Sequence, residues 1–178
     1  MLEKVKFENL EKLDLSYNQI SDINILEKVN FKELKELNLG ENKISDIDIL
    51  ENVKFEKLEN LSLTSNEISD INVLENVNFK ELKELSLHNN NISDINILSK
   101  VKFEKLEKLY LGWNKITDIN VLKDVNFKEL KELYLFSNNI IDIHIFEHTQ
   151  FEKLEKLDLT NNKNLNQSNC EEIISKLK

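Results

Sequence analysis

Phenylalanine returns every 24 residues along this chain, at Phe7, Phe31, Phe55, Phe79, Phe103, Phe127 and Phe151. Asn18, Asn42, Asn66, Asn90, Asn114, Asn138 and Asn162 keep the same step. Each unit reads F-x-x-L-x-x-L-x-L-x-x-N-x-I-x-D-I-x-x-L-x-x-V-x, and seven such units run from residue 7 to 164. So strict a period leaves few folds open. A unit of this size cannot bury its apolar edge alone, so successive units must stack and share one continuous core.

Within a unit the L-x-L step, as in Leu13-Asp14-Leu15, alternates apolar and polar and predicts a short, half-buried strand. The later stretch, as in Ile23-Asn24-Ile25-Leu26-Glu27-Lys28-Val29, spaces its apolar residues as one or two helical turns would. Ser21 and Asp22 precede it as candidate N-caps, since a short side-chain oxygen can accept a free backbone N–H. Each unit is therefore a strand, a turn and a helical return. After Asn162 the pattern changes. Ser168-Asn169-Cys170-Glu171 fits a capping box, and Cys170, Ile173, Ile174 and Leu177 share a helical face. This divides the chain into a solenoid over 1–164 and a capping helix over 165–178. LEKVKF at the start matches Leu26–Phe31, so the chain begins inside a repeat, and a sheet edge uncovered there would be open to pairing with a second copy.

The recurring Leu10, Leu13, Leu15, Asn18, Ile20, Ile23 and Leu26, in register through all the units, resemble the leucine-rich-repeat family. The Ile-Ser-Asp-Ile wording is most similar to its Sds22-like and internalin-like classes. The resemblance implies an α/β solenoid, a curved right-handed superhelix. A parallel β-sheet would line its concave face, short helical turns its convex face, and a ladder of buried asparagines would join the repeats. Seven strands at ~4.8 Å spacing give a sheet roughly 30 Å across.

The copying unit is longer than the repeat. VNFKELKEL occurs unchanged at 29–37, 77–85 and 125–133, a 48-residue step. One column therefore reads Glu8, Lys32, Glu56, Lys80, Glu104, Lys128, Glu152 and another Glu11, Lys35, Glu59, Lys83, Glu107, Lys131, Glu155. Stacked in register, each charge is expected to have opposite charges above and below it, each exposed pair contributing about 0.2–1 kcal/mol.

Three columns vary where the Leu, Ile, Phe and Asn columns hardly move. The residue between the leucines runs Asp14, Asn38, Ser62, Ser86, Tyr110, Tyr134, Asp158. The residue after them runs Ser16, Gly40, Thr64, His88, Gly112, Phe136, Thr160, and the next Tyr17, Glu41, Ser65, Asn89, Trp113, Ser137, Asn161. Strand alternation turns the first two columns onto the concave face and sets the third at the strand's end. All three tyrosines and the single tryptophan lie here. Tyr110, Trp113, Tyr134 and Phe136 come from adjacent units, with His88 one unit before. Clustered exposed aromatics point to a protein or peptide partner, because Tyr and Trp dominate interface hot spots. The competing interpretation is that neighbouring rings merely stack and stabilise the sheet.

Other features carry less. The net charge of −9 argues against nucleic acid and anionic membrane. No apolar run approaches the ~18 residues of a membrane helix, and no secretory signal is visible, so a cytoplasmic setting is expected. The lone cysteine excludes an internal disulfide. His144-Ile145-Phe146-Glu147-His148 matches the zinc-peptidase pattern H-x-x-E-H, but the repeat explains it: Phe146 fills the Leu26 core position, and a site would need a third ligand such as Asp142, Glu171 or Glu172. The Asp22, Asp46, Asp70, Asp94, Asp118, Asp142 column is assigned to local capping rather than calcium. There is no glycine-rich phosphate loop and no G-x-S-x-G, so no cofactor and no catalysis are expected. The sequence thus describes a non-enzymatic module that binds a protein or peptide on its concave face. Tyr110, Trp113, Tyr134 and Phe136 are its expected anchors, and His88, Tyr17 and Glu41 its rim. The alternative is a structural spacer or self-assembly segment of a longer repeat protein, with a homodimer through the N-terminal edge.

Overall fold

The computed structural model describes residues 7, 9–149, 151–163 and 165. Seven three-residue strands form one parallel sheet in chain order: β1 Lys12–Asp14, β2 Glu36–Asn38, β3 Asn60–Ser62, β4 Glu84–Ser86, β5 Lys108–Tyr110, β6 Glu132–Tyr134 and β7 Lys156–Asp158. Every strand pairs with the next at an offset of 24, Leu13 with Leu37 and so on to Leu133 with Leu157. The alternation is the cause: the middle leucine of each inner strand is buried and its two neighbours are half-buried on the other face. This is the expected solenoid. The expected capping helix lies outside the described residues, apart from Leu165, as does the start before Phe7.

The strands are short because the chain must turn to bring asparagine inward. Asn114 shows how. Its Nδ2 donates to the carbonyls of Leu111 and Gly112 in its own turn and to Leu87 one repeat back, while its Oδ1 accepts the Ile92 N–H. Asn42, Asn66, Asn90 and Asn138 repeat the pattern. An amide offers both donors and an acceptor on one short stem, so it can satisfy buried backbone groups of two repeats at once. The residue before each asparagine lies in left-handed backbone: Tyr17, Glu41, Ser65, Asn89, Trp113, Ser137 and Asn161, with φ between 53° and 58°. None of them is glycine.

The helical return is a single 3₁₀ turn of four or five residues, as at Asp48–Glu51 and Asn120–Lys123. The expected caps divide. The residue at the turn's start is the isoleucine after the aspartate, and it makes no side-chain cap. Instead each aspartate bonds forward, Asp22 Oδ1 accepting the Asn24 N–H and Asp46, Asp70, Asp94, Asp118 and Asp142 doing the same. The serine column contributes no such bond among the described residues. Under the turns runs the phenylalanine spine, with Phe31, Phe55, Phe79, Phe103 and Phe127 all buried.

The charges interlock more selectively than expected. The Glu11 column pairs one way only, Lys35 with Glu11, Lys83 with Glu59 and Lys131 with Glu107 at 2.7–3.1 Å. The Lys32–Glu56 column forms no ion pair among the described residues. The Glu33, Lys57, Glu81, Lys105, Glu129, Lys153 column supplies three more, Lys57 to Glu33, Lys105 to Glu81 and Lys153 to Glu129. From Glu33 onward, after Asn9 in the first repeat, it alternates as the other two do and was legible by the same comparison.

Candidate partner-binding site on the concave face

The concave aromatics divide into two packed groups and one free ring. Because β5 and β6 pair with Tyr110 opposite Tyr134, the strand spacing sets the rings 4.7 Å apart and within 11° of parallel. Tyr134 is fixed further. Its hydroxyl donates to Glu132 Oε2 at 2.5 Å, Glu132 also holds Lys108 at 3.2 Å, and Lys156 lies 4.8 Å over the outer face of the ring. The phenol's hydrogen bond and the lysine hold the Glu132 carboxyl below its usual range. Burial pushes the Tyr110 hydroxyl up, with the Glu84 carboxylate adding to it.

Phe136 forms the second group. Its ring reaches across Gly112 of the neighbouring repeat to meet His88 two repeats away, at 5.3 Å between centroids and a tilt of 37°. A Cβ on Gly112 would stand 2.6 Å from the Phe136 ring, so the glycine is what lets the ring lie there. Covered by that ring, His88 is lowered below its ordinary value by burial, with the Gly112 carbonyl and the more distant Glu41 acting in the opposite sense. Trp113 joins neither group: it is 56% exposed, with its backbone at φ 54°.

Tyr17 is 82% exposed but stands four strands from Trp113, roughly 19 Å along the sheet. Glu41 is exposed three strands from Trp113 and reaches the patch only through its field on His88. So His88, Tyr110, Trp113, Tyr134 and Phe136 lie together, while Tyr17 and Glu41 lie apart. The sequence reading missed the column two residues before the variable one: Lys12, Glu36, Asn60, Glu84, Lys108, Glu132, Lys156. By alternation it shares the concave face, and it carries the charges that flank the tyrosines. Ile141 was also missed. It is 64% exposed in a column of Ser21, Ser45, Ser69, Ser93 and Thr117.

The H-x-x-E-H stretch occupies a four-residue 3₁₀ turn, His144–Glu147. His144 opens the turn and His148 follows it as the C-cap with non-helical backbone, so no helical face carries both. His144 Nδ1 sits 3.9 Å from Glu147 Oε1. Among the described residues no three or more His, Cys, Asp or Glu are disposed to hold a metal, and no helix is long and apolar enough to cross a membrane.

The arrangement has counterparts. A family model for leucine-rich repeats in pairs of copies matches residues 8–52, 32–76 and 80–124. An internalin of Listeria monocytogenes, InlF, is 28% identical over 89% of this chain and 47% of its own, with a TM-score of 0.72. Internalin C2 of the same organism is 28% identical over 86% and 72%, with a TM-score of 0.65. A leucine-rich-repeat protein of Leptospira interrogans shares the fold at 24% identity, covering 96% of this chain and 48% of its own, with a TM-score of 0.75. The chain thus spans about half the length of InlF and of the Leptospira protein. No curated protein sequence matches it. Repeat after repeat, in the spacing of its leucines, its asparagine ladder and its seven parallel strands, the chain belongs to the leucine-rich-repeat family.

Proposed function

We propose that this chain is a non-enzymatic module that holds a protein or peptide on the concave face of its fourth to seventh repeats. Tyr110, Trp113, Tyr134 and Phe136 are the anchors, His88 borders them, and Glu41 and Tyr17 reach a partner only if it extends along the sheet. Leucine-rich repeats commonly serve as protein-interaction modules, and their curvature gives them a concave surface for it. The observation that carries the reading for this chain is Trp113. An indole more than half exposed forgoes apolar burial, and left-handed backbone costs a bulky residue roughly 1–2 kcal/mol. Serine, asparagine or glutamate occupies the same turn in five other repeats, so the fold does not require the indole.

A second interpretation rests on an equally specific observation. Tyr110 stacks on Tyr134 and Phe136 on His88, so these rings already have a use in holding the sheet together. On that view the segment is a spacer or self-assembly unit. One comparison separates them. The protein and a Tyr110→Ala, Trp113→Ala, Tyr134→Ala, Phe136→Ala variant are each immobilised, and their captures from lysate of the source cells compared. A captured protein is then purified and its affinity measured, with circular dichroism showing that the variant folds. Binding should weaken more than tenfold, since truncating a hot-spot residue costs ~2 kcal/mol. Equal binding by two folded proteins, or concentration-dependent dimers in light scattering, would favour the spacer.

A further inference from the structure

The tyrosine stack is closed at one end and open at the other. Its outer face at Tyr134 is covered by Lys156, which reaches back from the next repeat. Its other face, on Tyr110, looks toward the fourth repeat, where its register partner is Ser86, a side chain too small to cover it. Among the described residues no ring or cation lies on that face. The residue that corresponds to Lys156 there, in the same concave column, is Glu84. An anion is repelled by the negative face of an aromatic ring, so Glu84 cannot close the stack as Lys156 does.

Glu84 is also unpaired among the described residues, and the column shows why. Its neighbours are Asn60 on one side, where alternation would place a lysine, and Lys108 on the other, which pairs with Glu132 at 3.2 Å. Glu36, the next glutamate along, is taken by Lys12 at 2.7 Å. A shallow, largely apolar depression runs from Glu84 across β3 and β2 to Glu36, lined by Asn60, Ser62 and Asn38 together with Leu37 and Leu61. An open ring face thus neighbours a carboxylate that makes no ion pair among the described residues, close enough for its charge to act on the Tyr110 hydroxyl.

We propose that the Tyr110 face and the Glu84 carboxylate together receive an arginine side chain from an extended segment of the protein partner. A guanidinium is planar and can lie on a ring while offering its N–H fork to a carboxylate. The site would then continue the series Lys156, Tyr134, Tyr110 with a second cation. The chain contains no arginine and carries a net charge of −9, so the arginine comes from outside and the long-range field draws it in. The proposal rests on the concave-face reading above and names the chemistry that face selects.

The test uses the whole chain, the peptide acetyl-Gly-Ser-Arg-Ser-Gly-amide, and its counterpart with neutral citrulline for arginine, followed by backbone amide NMR. The arginine peptide should produce saturable shifts centred on Glu84, Ser86 and Tyr110, and citrulline should bind at least about fivefold more weakly. Glu84→Gln and Tyr110→Leu should each weaken binding by a similar factor. Asn60→Lys should do the same while leaving both site residues in place, because it supplies Glu84 with an internal cation. Equal affinity for arginine and citrulline, shifts centred elsewhere, or no effect of Asn60→Lys would overturn the proposal. If the arginine peptide fails while the four-aromatic variant still loses its protein partner, the arginine claim falls and the concave-face reading stands.

Discussion

Trp113 tests how far the repeat tolerates a residue it does not need. Its indole is largely in solvent, and its backbone N–H and carbonyl join the ladder at Phe136 and Asn90 as any residue's would. Replacing it by glycine removes a left-handed penalty of roughly 1–2 kcal/mol and adds about 0.5–1 kcal/mol of chain entropy to lose on folding. Trp113→Gly should therefore raise stability by about 0.5–1 kcal/mol in urea melts followed by circular dichroism, while weakening the partner. A loss above ~1 kcal/mol would show that the indole packs on something. The left-handed column was not legible in the sequence. Both glycines stand one position earlier, at Gly40 and Gly112, where φ is ordinary, so the usual marker of a left-handed turn points at the wrong residue. Asp48 makes a second case. It stands where Asn24, Asn72, Asn96 and Asn120 stand in other repeats, and although it is exposed, slight desolvation, then Asp46, Asp70 and Glu51, hold its carboxyl above the usual range. A raised carboxyl costs stability above its ordinary value of 3.8, and the cost disappears as pH falls below it. Asp48→Asn should gain at most a few tenths of a kcal/mol (~0.3) at pH 7, because solvent screens an exposed carboxylate, and nothing near pH 3, measured as the shift in urea midpoint.

At the scale of the element, Phe136 spans three repeats because the middle one has no side chain in the way. The sequence made the aromatics and their face legible, since all of them fall in columns that stacking leaves free. It did not reveal which ring would meet which. Tyr110 and Tyr134 share a column, and the strand spacing alone brings them together. Phe136 and His88 meet only because Gly112 lies between them, a relation across 48 residues that no local pattern expresses. Gly112→Ala puts a methyl 2.6 Å from the ring and must displace it. The expected cost is about 1–3 kcal/mol, as for overpacking elsewhere. The more specific readout is His88. Burial under Phe136 lowers its pKa, so lifting the ring should return it toward the ordinary 6.5, followed by the imidazole proton shifts. If His88 titrates unchanged in Gly112→Ala, the ring does not cover it in solution. Gly40→Ala is the control, since its new methyl meets no ring but the Asn38 Oδ1, the Thr64 carbonyl and the Ser62 Oγ at 3.1–3.6 Å.

Across the whole molecule, the Glu11 and Glu33 columns turn out to be staggered. Glu11–Lys35, Glu59–Lys83 and Glu107–Lys131 join the first repeat to the second, the third to the fourth and the fifth to the sixth. Glu33–Lys57, Glu81–Lys105 and Glu129–Lys153 join the boundaries between. Each of the six boundaries carries one ion pair from these columns, which the 48-residue copy ensures and a 24-residue copy cannot. Singly each pair contributes about 0.2–1 kcal/mol, well below the buried leucines of the same boundary. Their effect is on register: they oppose a stack that slips or loses one unit. Deleting residues 79–102 keeps every apolar column but sets Glu59 against Glu107 and Lys57 against Lys105. Deleting 79–126 instead sets Glu59 against Lys131, restoring that boundary's one pair, and Lys57 against Glu129, opposite in sign, with one repeat fewer. Salt separates this electrostatic penalty from the loss of core. Screening relieves repulsion in the shorter deletion and weakens attraction in the longer one. Moving from low salt to 0.5 M sodium chloride should therefore raise the stability of the 79–102 deletion relative to that of the 79–126 deletion, read from their thermal midpoints, by on the order of 1 kcal/mol for two mismatched pairs. Parallel responses to salt would mean that the leucine and asparagine columns alone fix the register, and that the alternating charges are merely a solvated face.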